Sequence, residues 1–329
     1  MKGAKCRTYI IGVLAIVGMI LINGCTMQTE PTEPKKVVPH IERWGIYYLD
    51  LSTELVELIY STDKEISGIS LDHTGERLAF SLKGSAEILD ASSEIYTIHT
   101  DGAKLQRLTN NNHFDAYPSF SLDGSKIVFL SKRNSTLSLY VMNIDGDKQQ
   151  KLYDSGGHDA DVNWGRCGLI VFTRNHQIWS LESDGTEPKQ ITDPPNTGQW
   201  GSANLPIGDY DPRLSPDCSK VLFARLEDPN TTHGGYNLFV INVDGTEETR
   251  LTNNGYTQGM PSWSHSGDKI AYVVAAINNQ GKFDIHMMDA NGTNNHKITP
   301  DYFPDNFLAH QAIFSTDDAG IFFIGQWWE

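Results

Sequence analysis

Apolar positions in this chain recur in blocks. A residue that ends one short apolar run is followed nine positions later by an aromatic that ends a second: Leu71 and Phe80, Phe120 and Phe129, Leu214 and Phe223, Trp263 and Tyr272, Phe314 and Phe323. Trp164 and Phe172 keep the pattern at eight, so that copy lacks one residue. Between the two runs lies S-x-D-G or a variant, as in Ser121-Leu122-Asp123-Gly124. A third run follows (Ile95-Tyr96, Leu139-Tyr140, Ile178-Trp179, Leu238-Phe239, Ile285-His286), then Asp-Gly or Asn-Gly, then Leu/Ile-Thr. Short runs separated by polar turns read as strands, and Asp-Gly or Asn-Gly between them is a strong hairpin signal because glycine tolerates positive φ. Each copy is thus a four-stranded antiparallel meander.

One such sheet cannot bury both its faces, so the copies must pack against one another around an axis. The expectation is an all-β, six-bladed β-propeller. The sixth copy ends after its second run, Ile321-Phe322-Phe323. Two runs at the other end, Gly45–Leu51 and Glu54–Tyr60, supply the missing pair, so that N-terminal strands close the ring and remove its open edges.

The segments Tyr117-Pro118-Ser119-Phe120-Ser121-Leu122-Asp123-Gly124 and Met260-Pro261-Ser262-Trp263-Ser264-His265-Ser266-Gly267 resemble the WD-like repeats of the C-terminal propeller in the TolB family. The resemblance spans roughly residues 45–329 and implies that fold. TolB itself has a further α/β domain before its propeller, for which this sequence leaves no room, so what carries over is the fold.

The ends add a location. Lys2, Lys5 and Arg7 precede an apolar run from Tyr9 to Ile22, short for a membrane span and typical of a secretory signal. Leu21-Ile22-Asn23-Gly24-Cys25 looks like a lipobox with Cys25 as the lipidated residue; an uncleaved anchor is the alternative. The expected organisation is a signal peptide at 1–24, lipidated Cys25 with a proline-rich tether at 25–43, and the propeller at 44–329. At about 3 Å per residue the tether reaches on the order of 40 Å from a bilayer. The domain is extracytoplasmic on either reading.

Formal net charge is −15, and removing Lys2, Lys5 and Arg7 with the signal takes it to −18. So acidic a surface repels nucleic acid and anionic headgroups, which leaves the lipid as the membrane attachment. Of the four cysteines, Cys167 and Cys218 remain in the propeller, each five residues before its aligned phenylalanine. They sit in the same turn of neighbouring blades. An exported pair invites a disulfide, provided the two turns come within the roughly 7 Å Cα limit.

No phosphate-cradling glycine loop, H-E-x-x-H or G-x-S-x-G is present. One constellation stands out. Asp115, Asp159, Asp209 and Gln258 occupy equivalent positions in four successive copies, with His113, His158, Asp161, Asp211, His310 and Gln311 nearby. Gathered at the channel mouth, Asp115, Asp159 and Asp209 would suit Ca²⁺, and the histidines Mn²⁺ or Zn²⁺. Alternatively, these acids are part of the repeat and accept backbone N–H bonds. The longest departures from the repeat are the loops at 193–206 and 227–236, where Trp200 and Tyr236 are the candidate aromatic anchors for a partner. Trp327-Trp328 is read as closing the last blade, and His265 as structural.

The leading functional expectation is a lipid-anchored, non-catalytic scaffold that binds an envelope protein or polysaccharide through the channel rim and these loops, with no cofactor required. The alternative is a metal-dependent polysaccharide lyase or hydrolase at the channel mouth, using His158, Asp159, His310 and Gln311 with Ca²⁺ or Mn²⁺. Its motif Ala309-His310-Gln311 resembles the His/Gln metal cluster of oligogalacturonate lyases. Fold alone does not choose between them.

Overall fold

The computed structural model describes residues 42–84, 92–133, 135–201, 205–228, 230, 235–275 and 282–328. The expected signal peptide, Cys25 and most of the expected tether lie outside them. The described chain contains twenty-four strands and no helix. The first two, β1 (Glu42–Asp50) and β2 (Val56–Thr62), belong to the last blade. Blade one is β3 (Ile66–Leu71), β4 (Arg77–Lys83), β5 (Ser93–His99) and β6 (Gln106–Arg107). Blade two is β7 (Asp115–Phe120), β8 (Lys126–Ser131), β9 (Ser138–Asn143) and β10 (Gln150–Tyr153). Blade three is β11 (Asp159–Trp164), β12 (Ile170–Arg174), β13 (Gln177–Leu181) and β14 (Lys189–Gln190). Blade four is β15 (Gly208–Leu214), β16 (Lys220–Leu226), β17 (Tyr236–Asn242) and β18 (Thr249–Arg250). Blade five is β19 (Thr257–Trp263), β20 (Lys269–Ala275), β21 (Phe283–Asp289) and β22 (His296–Lys297). Blade six is β23 (Leu308–Phe314) and β24 (Gly320–Trp328), completed outward by β1 and β2.

Every pairing is antiparallel, and the innermost strands β3, β7, β11, β15, β19 and β23 touch in that cyclic order. Closure is by β1 on β24, in unbroken register from Glu42↔Trp328 to Asp50↔Gly320. Trp327 stacks on Phe307 at 6.3 Å beside this seam. The ring is therefore sealed by the two ends of the described chain, as the sequence pattern requires.

The repeat's apolar residues are the cement between blades. The aligned aromatics Phe80, Phe129, Phe172, Phe223, Tyr272 and Phe323 are all essentially inaccessible. One buried cluster fills each junction: Phe322 and Ile324 against Leu78 and Phe80, Ala79 and Ile95 against Ile127 and Phe129, and so on around the ring. Second strands such as β8 are buried on both faces because a blade lies on either side, which is why they read as continuous apolar runs instead of alternating ones.

The polar signatures have equally local causes. In Ser121-Leu122-Asp123-Gly124 the Gly124 N–H closes a turn on the Ser121 carbonyl, and Asp123 accepts from Ser121 Oγ and the Ser125 N–H. These donors, led by the serine hydroxyl, hold the Asp123 carboxyl at about 2. The threonine of Leu/Ile-Thr accepts a third-strand N–H: Ile95 to Thr109 (2.9 Å), Ile178 to Thr192 (2.9 Å), Leu238 to Thr252 (2.9 Å), Ile285 to Thr299 (2.6 Å). The Asp-Gly turns do more than reverse the chain. A Cβ on Gly146 would lie 2.6 Å from the Leu108 carbonyl oxygen of the preceding blade, so this glycine lets one blade's turn press on its neighbour's outer backbone.

Candidate functional site

Each innermost strand carries a β-bulge at the same place: its register slips between Ser67/Ser70, Ala116/Ser119, Ala160/Asn163, Tyr210/Arg213, Gly259/Ser262 and His310/Ala312. The bulge residues are Gly68, Tyr117, Asp161, Asp211, Met260 and Gln311, and all but the last have φ between 51° and 61°. A bulge re-aims a side chain; here all six residues line the axis. Gly68 is required by contact as well as by φ, since a Cβ there would lie 2.6 Å from the Tyr117 Cα.

These residues form a belt in which each blade caps the next. Asp161 Oδ2 accepts the Asp211 N–H (3.3 Å), and Asp211 Oδ2 accepts the Met260 N–H (2.8 Å). The Gln311 N–H points at Met260 Sδ (3.4 Å), and the Gln311 amide both accepts from the Ile69 N–H and donates to the Ile69 carbonyl, each at 3.1 Å. A second belt lies two residues along. Ser70 Oγ accepts from Phe120 N (3.3 Å), Ser119 Oγ from Trp164 N (2.9 Å) and Asn163 Oδ1 from Leu214 N (3.0 Å). Arg213 and Ser262, at the same position in blades four and five, break this series.

Above the first belt the six strands enclose an axial cavity of about 200 Å³. Its wall includes both belts and the first-to-second-strand turns, among them His73, Leu122, Arg166 and His265. Asp161 and Asp211 are buried side by side in this wall, and Arg213 is close enough to favour their ionised forms. Burial raises both carboxyls, and Asp161 raises Asp211 further, which disfavours ionising both acids at once. A carboxyl raised on folding contributes its stability below its unfolded pKa and loses it as pH climbs toward the folded one, a window from 3.8 to about 8 for Asp211. Asp211→Asn keeps the acceptor for Met260 and the donor for Asp161 without an ionisation. The difference in thermal stability, variant minus wild type, is expected to grow between pH 4 and 8 by about 1.4 kcal/mol per pKa unit of elevation. A difference independent of pH in calorimetric scans would show that ionising both acids at once is not disfavoured.

The residues singled out in the sequence are distributed differently. Asp115, Asp159, Asp209 and Gln258 do not meet at the channel mouth, because each pairs across its own blade with the second strand. Asp115 accepts from Ser131, Arg133 and Asn111, and Asp209 is gripped by Arg225. Neither Asp159 oxygen has a well-formed hydrogen bond among the described residues, and burial, only partly offset by Ser155, pushes its carboxyl up to about 6. Gln258 Nε2 donates to Asn254. His310 lies in an aromatic box, stacked on Trp44 at 5.3 Å and edge-on to Phe283 at 5.4 Å, with Nε2 on Gln326. Burial lowers its pKa to about 4. Gln311, the next residue, faces the axis instead, and His158 is exposed in blade three, across the ring from blade six. The proposed lyase residues are therefore dispersed. Among the described residues no three His, Cys, Asp or Glu side chains gather as metal ligands.

The aromatic anchors divide. Trp200 is 68% exposed, whereas Tyr236 starts β17 and is buried against Tyr210 and Leu238, so it is a core residue and not a surface anchor. His265 has its N–H on Asp318 of blade six at 2.6 Å and also lines the cavity. Cys167 and Cys218 form a disulfide with their Cα atoms 6.2 Å apart, joining the cavity-side turns of blades three and four. No motif marks Arg213, Ser262 or Tyr117 as functional residues. Their signal was a position whose chemistry changes from copy to copy inside an otherwise repeated frame.

The model of the TolB β-propeller domain matches residues 42–199. The fold is that of a TolB-type β-propeller. It is 24% identical over 267 residues to the Tol-Pal system protein TolB of Francisella tularensis subsp. mediasiatica, covering 76% of this chain and 57% of that protein. This chain thus matches a little over half the length of such relatives. The structure described as TolB from Agrobacterium tumefaciens superposes with a TM-score of 0.66 at 15% identity, over 87% of this chain and 99% of that one. An oligogalacturonate lyase from Vibrio parahaemolyticus shares the fold too (TM-score 0.54, 10% identity, 85% of this chain and 82% of that one). At such identity the likeness extends to the fold alone, and the scattered His158, His310 and Gln311 give this TolB-type propeller no matching cluster.

Proposed function

We propose that this propeller is an extracytoplasmic, lipid-anchored scaffold that docks a protein of the cell envelope on the face where the axial cavity opens, without catalysing a reaction. The observation that carries the reading is the axial wall itself. A frame repeated six times presents Gly68, Tyr117, Asp161, Asp211, Met260 and Gln311 at one equivalent position, so the ring is regular where it packs and individual where it can be read. The relatives named as Tol-Pal system proteins support an envelope protein as the partner. The basic, apolar leader ending at Cys25 and the Cys167–Cys218 bridge support an oxidising, membrane-proximal location.

Site-specific photo-crosslinking tests this. A benzophenone amino acid at Leu122, which is 48% exposed and lines the cavity, is expected to capture one defined envelope protein in intact cells. The same probe at Trp200 serves as the comparison. Capture from Trp200 but not Leu122 would move the docking face to the loop before blade four, and capture from neither would remove the scaffold reading.

A further inference from the structure

Two arginines stand in the wall of the axial cavity of a strongly acidic chain, and neither is neutralised by an ion pair of its own. Arg166 lies on the turn between β11 and β12, is exposed, and makes no salt bridge among the described residues. Arg213 precedes the last residue of β15, and among the described residues its guanidinium makes one hydrogen bond, from Nη1 to the Pro212 carbonyl at 2.8 Å. In the next blade, Ser262 is 6% exposed and its Oγ has no hydrogen-bond partner. The equivalent Ser70 and Ser119 spend theirs on the following blade. Three adjacent blades thus bring two guanidiniums and an unspent buried hydroxyl to one cavity.

The acids that border this corner are already engaged: Asp318 accepts the His265 and Ser266 N–H groups at 2.6 and 2.8 Å. Asp161 and Asp211 each have an oxygen on a backbone N–H of the next blade, and burial disfavours a second negative charge on the pair beside Arg213. Asp72 is engaged by Arg77 at 3.2 Å. Burial and the nearby Arg166 lower the pKa of His265, against the opposite pull of Asp318. The geometry points to a carboxylate as the group this cavity receives: we propose that the docked protein inserts an aspartate or glutamate side chain, with Arg166 and Arg213 supplying charge-assisted donors and Ser262 a hydroxyl. Planar guanidinium forks match carboxylates better than any other protein group. A cavity of about 200 Å³ ringed by six strands takes a group entering end-on along the axis, which suits a side chain on a protein loop better than the middle of a polysaccharide. The disulfide reinforces the site, since Cys167 directly follows Arg166 and its N–H lies 3.2 Å from Cys218 Sγ.

This inference rests on the cavity being the docking site, and the test separates the two. Full-length protein in detergent is titrated calorimetrically at low salt with the acetylated, amidated peptide Gly-Gly-Glu-Gly-Gly, its Gln counterpart, and trigalacturonate. Saturable binding of the Glu peptide is expected, about tenfold weaker for the Gln peptide and for Arg166→Gln or Arg213→Gln, and unchanged in Lys64→Gln, exposed between β2 and β3 and outside the cavity wall. Arg166 is exposed, so its variant folds even where Arg213→Gln disturbs the acid pair. Equal affinity for the Glu and Gln peptides, or saturation by neither, overturns the proposal. Trigalacturonate binding that depends on the arginines while the peptide fails reassigns the site to a uronate polymer. If crosslinking at Leu122 persists in Arg166→Gln/Arg213→Gln at undiminished yield, docking stands and the carboxylate is refuted.

Discussion

Arg225→Met is expected to destabilise the propeller by about 3–5 kcal/mol, the cost of leaving one member of a buried ion pair behind. Arg225 Nε and Nη2 reach the two oxygens of Asp209 at 2.6 and 2.9 Å, and Nη1 and Nη2 reach Glu248 at 2.6 and 2.8 Å. The guanidinium is also sandwiched over Phe223 and Phe239, 5.3 and 4.8 Å from their centroids. Asp209 is wholly buried, so without Arg225 it must either carry an uncompensated charge or bind a proton. For a domain of this size the loss corresponds to roughly 10 °C in melting temperature. The double variant Asp209→Asn/Arg225→Met removes the orphaned charge and is expected to regain most of the loss. A double variant no more stable than the single one would locate the effect in lost packing on the two phenylalanines.

The same comparison explains why acids at this repeat position mislead when read as ligands. A carboxylate that recurs at or beside the head of three successive innermost strands suggests convergence on the axis. In the structure it pairs across its own sheet, and the partner on the second strand decides its state. Asp115 has Ser131 and Arg133; Asp209 has Arg225. In blade three Arg174 sits opposite Asp159 but directs its guanidinium to Tyr153, the Ser155 carbonyl and the Trp179 ring, which leaves Asp159 with burial as the dominant influence.

What was legible in the sequence is what repetition encodes. Aromatics eight or nine residues downstream of a strand end, paired with polar turns and in four copies with Leu/Ile-Thr, specify strands, turns and closure because each is a local rule applied again and again. The site is written at the bulge, and a bulge is one residue of slack that no periodicity displays. Tyr117 and Met260 look like ordinary strand residues until positive φ turns them to the axis. His310 and Gln311 failed as a pair for a related reason: neighbours in a strand point apart, one into the Trp44–Phe283 box and the other into the cavity wall. Tyr236 was placed in a loop because of Gly234-Gly235 before it, yet it pairs with Leu226 as the first residue of β17.

Loss of the Cys167–Cys218 bridge should cost nearly as much as loss of Arg225, and two versions of that loss should differ from each other. The bridge closes a loop across 51 residues, for which chain entropy in the unfolded state gives about 4 kcal/mol. Cys218 also occupies the place that Gly124 and Gly267 hold in their copies of the turn, with φ at 57° where a side chain is disfavoured. Cys167→Ala/Cys218→Ala therefore loses the bridge and keeps a strained residue, whereas Cys167→Ala/Cys218→Gly loses the bridge and restores the turn's own glycine. Denaturant unfolding is expected to place the glycine variant about 1 kcal/mol above the alanine variant, and both well below the oxidised wild type. If the two variants coincide, the left-handed turn at Cys218 is imposed by the disulfide and relaxes without it. If both match the oxidised wild type, the packing of blade three on blade four holds these turns unaided, and the bridge then serves only to position Arg166 at the cavity.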